Sequence, residues 1–393
     1  MKNLKSLAAF FILFFCYQLS MAQQTVVIEL KLESASKISV KPAPLKYNKQ
    51  MAFSFTLDDG YRSAYTCAYP LLNGGVVSPS LPDEYHSDSG GDGKVSSGLF
   101  YSDGCGNKIP FRLAVALNGG IVYDHPDNRA RLSWEEVKEL YQSGWDMINH
   151  GYLHRTKHGT AIGNEVSENI RVVKKELGFQ LSQFIVPGGE HDPGYEKEYE
   201  SEAFSAGAFS VASYVGKGPV IPVGETVDLQ RMIYARDLFS SNKDSVDFRQ
   251  VDRNLNKMDS LIHLSQPIWY NAFTHNVGNG NLWSISLLYP EFKYLMTSLE
   301  NRYGVSGSDQ LWMAPWQQVY EYVWLKDRVK TKVLQHGRKV TITITVPKIP
   351  ATFRYAAVSL QINTDSKFAV AGTKGKTTNN GNSAHNLINV DLH

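Results

Sequence analysis

Hydrophobic runs alternate with amphipathic segments between residues 111 and 330. Strands that alternate with helices predict a parallel sheet with crossover helices. Ser133-Trp134-Glu135-Glu136 forms a capping box before one predicted helix, and Pro315 stands where the start of another tolerates proline. The predicted strands cover 111–117, 183–186, 208–212 and 267–273, and the predicted helices cover 133–143, 165–177 and 315–328.

The pattern changes after residue 332 to alternation of apolar and polar residues. Residues 339–346 alternate Val and Ile with polar side chains, and 357–363 form a second strand-like run. A period of two predicts strands with one buried face. We therefore expect a β-rich C-terminal module at 331–393, completed by a strand at 25–32 within an N-terminal segment at 23–48. Residues 49–330 form the predicted α/β unit, with an insertion at 73–110.

Residues 1–22 have the layout of a secretory signal peptide. Lys2 and Lys5 precede an apolar stretch, and Ser20-Met21-Ala22 offers a cleavage site before Gln23. The apolar stretch is too short to cross a bilayer. Cys16 lacks the preceding small residue of a lipoprotein signal, so no membrane anchor is expected. The mature chain is predicted to be exported, to the periplasm or outside the cell.

Charge and cysteine content refine this picture. The chain has 40 Lys and Arg residues against 38 Asp and Glu, and loss of Lys2 and Lys5 with the signal balances the two. A balanced charge gives no reason to expect nucleic acid as a partner. Cys67 and Cys105 flank most of the insertion, and an oxidising compartment permits a disulfide between them. Two unpaired cysteines are the alternative, and no feature indicates an oligomeric state.

The strongest chemical signal is Asp58-Asp59-Gly60 at the end of the apolar run 51–57. Successive side chains of a strand point to opposite faces, so the two carboxylates serve different partners unless the chain turns, which Gly60 permits. The carboxyl ends of the strands form the open face on which α/β barrels carry catalytic groups. One carboxylate is then available to a cation and the other as a base; a polar turn is the alternative.

His150 and His154 supply nitrogen ligands. Their spacing of four brings both imidazoles to one side of a helical turn. Two histidines and one carboxylate leave coordination positions open for water and substrate. His154 and His158 share this spacing, but the basic polar run between them indicates a solvated loop, so His150 is preferred. His275 ends another strand-like run and brings a proton carrier to a strand end.

Together, Thr56-Leu57-Asp58-Asp59-Gly60, His150-Gly-Tyr-Leu-His154 and Phe273-Thr-His275 resemble the first, second and fifth motifs of the polysaccharide deacetylases of carbohydrate esterase family four. The resemblance spans about residues 51–277. It implies a distorted (β/α) barrel and an acetylated glycan as substrate. It also implies a general base at Asp58, a general acid at His275, and a divalent metal on Asp59, His150 and His154. Zinc is expected, with cobalt or nickel as alternatives.

The third motif of that family, Arg-x-Pro-aromatic, maps onto Ile185-Val186-Pro187-Gly188. Pro187 and Gly188 are therefore the predicted substrate-binding residues, although the arginine and the aromatic residue are missing. That arginine resembles an orienting partner for the base. Asp58 then lacks such a partner unless Arg231 or Arg236 reaches in from a later strand. A fourth motif is not identified.

The second motif also departs from the family, because Gly151 replaces a Ser or Thr whose hydrogen bond shapes the ligand loop. Our expectation is a metal-dependent hydrolase that removes N- or O-acetyl groups from a carbohydrate polymer or oligosaccharide. A catalytically inactive carbohydrate-binding protein on the same scaffold is the alternative. A non-haem iron oxygenase ranks last, because its carboxylate normally lies close to the first histidine, whereas Asp59 is far upstream.

Overall fold

A computed structural model of the chain describes residues 24–81, 89–124, 130–156, 161–188, 193–241, 246–280, 286–375 and 377–392. The predicted signal peptide and the alternative ligand His158 lie outside these residues. Among the described helices, none is both long enough and apolar enough to cross a membrane.

The strands in the described part of the chain are β1 (Thr25–Leu32), β2 (Ser39–Pro42), β3 (Met51–Leu57), β4 (Gly75–Val76), β5 (Val95–Ser96), β6 (Phe100–Ser102), β7 (Lys108–Pro110), β8 (Ala114–Leu117), β9 (Asp146–Asn149), β10 (Gln183–Ile185), β11 (Ser210–Lys217), β12 (Val220–Pro222), β13 (Met232–Tyr234), β14 (Asp237–Leu238), β15 (Ile268–Thr274), β16 (Leu311–Met313), β17 (Lys330–His336), β18 (Lys339–Thr345), β19 (Ala357–Asn363), β20 (Phe368–Lys374), β21 (Thr378–Asn382) and β22 (Leu387–Asp391). The α-helices are α1 (Tyr69–Asn73), α2 (Trp134–Gln142), α3 (Ile162–Leu177), α4 (Pro193–Ser205), α5 (Phe248–Ile262), α6 (Tyr289–Tyr303) and α7 (Trp316–Lys326).

The largest sheet has the strand order β12-β15-β3-β8-β9-β10-β11-β13, with β14 on β15 and β16 on β3. From β15 to β13 every neighbouring pair is parallel. β14 follows β13 after Ala235 and Arg236 and pairs in parallel with β15 at the other end of this series. The sheet therefore curves into a nearly closed barrel, which confirms the predicted distorted (β/α) barrel.

Burial explains why the barrel strands are almost continuously apolar. Every residue of β3, β8, β9 and β15 is buried. Parallel strands covered by helices on one side and by the barrel interior on the other have no solvent-facing side chains. The polar residues that do occur at their carboxyl ends therefore stand out as candidates for chemistry.

Most predicted elements are present with shifted ends. The capping box of α2 is confirmed: Glu136 N donates to Ser133 Oγ over 3.3 Å, and Ser133 N donates to Glu136 Oε2 over 2.9 Å. The strand predicted at 111–117 begins only at Ala114, because the Phe111 amide donates to the Leu99 carbonyl of the insertion.

Two antiparallel sheets form the C-terminal β structure. One has the order β17-β18-β1-β20 and the other has the order β2-β19-β22-β21. Their inward-facing side chains share one hydrophobic cluster, which includes Ile28 of β1 and Leu360 of β19. The N-terminal strand β1 therefore lies within the C-terminal β structure, between β18 and β20.

The predicted disulfide between Cys67 and Cys105 is wrong. Both residues lie in the described part of the chain, and neither is in a disulfide. Cys67 is buried, and its Sγ lies 3.2 Å from the Ser89 carbonyl oxygen. Cys105 instead packs against the C-terminal sheet, with its Sγ 3.4 Å from Asn389 Nδ2. Each sulfur is directed toward a different part of the fold.

Candidate metal and catalytic site

The two adjacent aspartates diverge because the backbone turns at Asp59 itself. β3 ends at Leu57, and a 3₁₀ turn covers Asp58–Gly60 with φ values of 69° at Asp59 and 61° at Gly60. Asp is among the non-glycine residues that tolerate this left-handed region best. The turn therefore begins one residue before the glycine on which the sequence prediction relied. It releases the two carboxylates toward different partners.

Asp59, His150 and His154 converge on one point. Asp59 Oδ1 lies 3.3 Å from Nε2 of His150 and 3.3 Å from Nε2 of His154. This oxygen is buried and has no hydrogen-bond partner among the described residues. Tetrahedral coordination with bonds of about 2.0–2.1 Å separates neighbouring donor atoms by about 3.3 Å. The separations from the Asp59 oxygen therefore fit a divalent cation, and the three ligand atoms all lie within 4.8 Å of one another.

A backbone contact orients His150 for this role. Its Nδ1 lies 2.9 Å from the carbonyl oxygen of Ile185, the last residue of β10. With the proton on Nδ1 donated to that carbonyl, Nε2 presents a lone pair to the site. Ile185 thus contributes through its main chain, although its side chain cannot replace the arginine of the third motif.

The spacing of His150 and His154 does not reflect a helical turn, so that part of the prediction is wrong. Residues 150–156 form a loop after β9, and α3 begins only at Ile162. Gly151 has a φ of 78° and His154 a φ of 55°. Two left-handed residues fold the loop back on itself, which brings the two ring centroids to 4.9 Å.

The charge states of Asp59, His150 and His154 suit a bound cation. Burial opposes the charge of Asp59, but its close contact with His150 and the attraction from His150 and His154 hold the pKa of Asp59 well below its usual range. Burial and the neighbouring His150 lower the pKa of His154 to about 4. Burial also opposes a charge on His150, but both aspartates outweigh it and raise the pKa of His150. A bound cation would replace the proton that these aspartates attract to His150.

Arg236 holds the second carboxylate. Its Nη1 and Nη2 donate to Oδ1 and Oδ2 of Asp58, each over 2.8 Å, and both side chains are buried. The guanidinium also stacks on the Phe273 ring at 4.0 Å. Burial works against the charge of Asp58, but Arg236 outweighs it and holds the pKa of Asp58 below its usual value. Asp58 is therefore an oriented carboxylate.

The barrel closure explains how Arg236 reaches this position. It lies between β13 and β14, where the chain crosses from one end of the strand series to the other. Arg231, the other candidate, is exposed and stacks on Phe204 at 4.5 Å. Arg236 is thus the arginine that contacts Asp58.

His275 follows β15 directly. The parallel register pairs Thr274 with Leu57, so His275 and Asp58 leave adjacent strands at the same edge. His275 interacts electrostatically with both Asp58 and Asp59. Its ring centroid lies 5.8 Å from that of Phe273. All five predicted catalytic and metal residues therefore follow the carboxyl ends of barrel strands.

Of the two predicted substrate-binding residues, Pro187 lies next to the ligand loop. Pro187 is buried, with its Cγ 3.4 Å from where a Cβ on Gly151 would lie, whereas Gly188 is half-buried. A small cavity of about 110 Å³ lies nearby, lined by Val186, Ala212, Ser213, Ala235, Arg236 and Phe273.

Several residues that shape the ligand loop were not foreseen. Asn118 Nδ2 donates to the Gly151 carbonyl over 3.0 Å and also to the His150 carbonyl. Asn149 Oδ1 accepts from Gly151 N over 3.0 Å. Both asparagines come directly after or at the end of a barrel strand, which is the same signal that identified Asp58 and His275.

No protein-family model matches the sequence, and no curated protein is similar to it in sequence. Among solved structures, the chain is similar to a candidate polysaccharide deacetylase from Mycobacterium smegmatis, with 13% identity over 78% of this chain and 99% of that one at a TM-score of 0.42. It is similar to the peptidoglycan deacetylase PdaC of Bacillus subtilis, with 13% identity over 70% and 92% at a TM-score of 0.37. It spans 56% of the Streptococcus pyogenes deacetylase PplD, solved with acetate, with 15% identity over 42% of this chain at a TM-score of 0.28.

Proposed function

We propose that this protein is an exported, metal-dependent hydrolase that removes N- or O-acetyl groups from a carbohydrate polymer or oligosaccharide. The observation that carries the proposal is the buried Asp59 oxygen, which has no hydrogen-bond partner among the described residues and faces Nε2 of His150 and His154. Beside it, a second carboxylate is held by an arginine and is available as a base. An open metal site next to a separate base is typical of hydrolases.

The ligands suit zinc, and cobalt or nickel are also compatible with two imidazoles and one carboxylate. A divalent cation on Asp59, His150 and His154 would polarise the acyl carbonyl and lower the pKa of a bound water. Asp58 takes a proton from the attacking water, whose oxygen forms a bond to the acyl carbon. Arg236 keeps the Asp58 carboxylate ionised and aimed during that step.

His275 completes the reaction in this proposal. As the bond from the acyl carbon to nitrogen or oxygen breaks, His275 donates a proton to the departing atom. The products are acetate and an amine or a hydroxyl on the sugar. The alternative of an inactive carbohydrate-binding protein rested on the missing third-motif arginine. The contact from Arg236 to Asp58 supplies that role from another strand and so favours an enzyme.

The test compares Asp58→Asn with Asp59→Asn in the mature protein. Asp58→Asn should retain the metal and lose acetate release by about 10²- to 10⁴-fold, because an amide accepts a hydrogen bond but not the proton. Asp59→Asn should bind the metal more weakly, because a neutral oxygen replaces an anionic ligand, and His150→Ala should lose the metal, because it removes a ligand. Metal content is measured by elemental analysis after dialysis.

Acetate release is measured on acetylated chitooligosaccharides, peptidoglycan fragments and acetylated xylan, with zinc, cobalt or nickel added. Metal-loaded wild type that binds one of these glycans and releases acetate from none would identify the inactive scaffold instead. Full metal occupancy in Asp59→Asn together with His150→Ala would remove the proposed ligand set.

A further inference from the structure

The loop that carries His154 is held by a carboxylate from the next helix. Glu165, in the first turn of α3, is buried with 4% exposure. Its Oε2 accepts from the Leu153 amide over 2.8 Å and from the Arg155 amide over 3.4 Å. Leu153 and Arg155 are the residues on either side of His154, so one carboxylate oxygen accepts hydrogen bonds from the backbone on both sides of this ligand.

These two hydrogen bonds matter because His154 has a φ of 55°. Bulky non-glycine residues in the left-handed region carry strain and persist only where the surroundings fix them. The Arg155 side chain lies 3.8 Å from Glu165 Oε1, and the Arg155 carbonyl accepts from Tyr199 Oη over 2.8 Å. The backbone after His154 is therefore held on both sides.

Gly151 shows why the carboxylate is needed here. A Cβ at Gly151 would lie 3.2 Å from Glu165 Oε2, and Gly151 has a φ of 78°. A side chain at 151 would therefore crowd the Glu165 carboxylate and would also strain the backbone. Where the resembling family has Ser or Thr, this chain has a glycine and a glutamate from α3 beside it.

We propose that Glu165 is the positioning residue of His154, in place of the missing hydroxyl of the second motif. The backbone amides of Leu153 and Arg155 donate hydrogen bonds to the Glu165 carboxylate. These bonds fix the backbone that directs the His154 imidazole toward Asp59. This inference rests on the proposed metal site. Partners of this kind typically contribute about 10- to 100-fold to metal affinity.

The test uses Co²⁺ as the probe and compares Glu165→Ala, Glu165→Gln and the control Glu168→Ala. Glu168 lies on the same helix but bonds only to Arg171 on the surface among the contacts described for its side chain. Glu165→Ala should bind Co²⁺ about 10- to 100-fold more weakly, with altered visible absorption of the bound cobalt. Glu165→Gln should regain most of the affinity, because its amide oxygen still accepts the Leu153 amide. Glu168→Ala should match wild type.

The dissociation constant and the cobalt spectrum report the orientation of the His154 imidazole. A purely structural role of Glu165 would lower only the melting temperature of the protein without metal. If Glu165→Ala does not fold, Glu165→Asp answers the same question, since it keeps the charge but withdraws the oxygen. Wild-type affinity and spectrum in Glu165→Ala or Glu165→Asp would overturn this inference alone. Absence of Co²⁺ binding in wild type would instead overturn the proposed metal site.

Discussion

Replacement of Arg236 by alanine tests the link between the barrel closure and the base. The substitution removes both hydrogen bonds to Asp58 and leaves a carboxylate whose side chain is only 3% exposed. Removing one partner of a buried ion pair costs about 3–5 kcal/mol. Without the cation beside it, the buried carboxylate is also easier to protonate, so the pKa of Asp58 should rise.

The sign of the effect follows from burial. In wild type the pKa of Asp58 is lowered, so the pair stabilises the fold above the unfolded pKa, and this stabilisation is lost as pH falls through the folded pKa. In Arg236→Ala burial still disfavours the charged carboxylate and the arginine no longer offsets it, so the pKa of Asp58 rises. The variant should therefore be most destabilised near neutral pH. The difference from wild type should shrink as the pH falls through the raised pKa of Asp58 in the variant toward the unfolded value of about 4.

Activity should respond in the same direction. With the base misaligned and its pKa raised, we expect kcat/KM near pH 7 to fall by about 10²-fold or more. The acidic limb of the pH profile should also move to higher pH, because the pKa of Asp58 rises. The assay is acetate release against pH, together with thermal unfolding at the same pH values.

Arg231→Ala is the matched control, because Arg231 is exposed and contacts Phe204 instead of Asp58. It should leave both the rate and the pH profile unchanged. An Arg236→Ala variant with wild-type kcat/KM and an unshifted acidic limb would refute the reasoning.

Two further predictions concern the ligand set and the cysteines. Metal affinity should fall as the pH drops through the pKa of His150, because the proton and the cation compete for Nε2. That pKa lies above its usual value of 6.5. Chelator competition between about pH 5.5 and 8 measures the affinity, and a constant affinity across this range would contradict the prediction. Protein lacking residues 1–22 should show two reactive thiols when denatured without reductant, with slow labelling of native Cys105, since burial and Asp103 raise its pKa to about 11. An absence of reactive thiols in the denatured protein would show that Cys67 and Cys105 form a disulfide after all.

Local patterns predicted the fold well where a single rule dominates. The alternating runs gave the C-terminal strands, and 25–32 and 357–363 coincide with β1 and β19. The capping box marked the start of α2 because its two hydrogen bonds are made within four residues. Strand ends such as that of 111–117 were less accurate, because they depend on which distant segment supplies the partner.

The candidate site divides in the same way. Asp58, Asp59 and His275 follow apolar runs, so their location at the open end of a barrel is readable from sequence. The loop geometry of His150 and His154 was not readable from sequence, because a spacing of four is compatible with a helix. The structure has a loop instead, in which Gly151 and His154 adopt positive φ. The disulfide prediction failed because proximity of Cys67 and Cys105 in the chain says nothing about which way each side chain points.

The sequence by itself determined the class of fold and the residue types available for a metal and a base, because hydrophobic periodicity and strand-end polarity are properties of short segments. Only the tertiary structure decided which arginine reaches Asp58 and which carboxylate holds the His154 loop. Arg236 and Glu165 lie 178 and 12 positions from the residues they contact. Such contacts depend on barrel closure and on helix packing, which bring together groups that no local pattern connects.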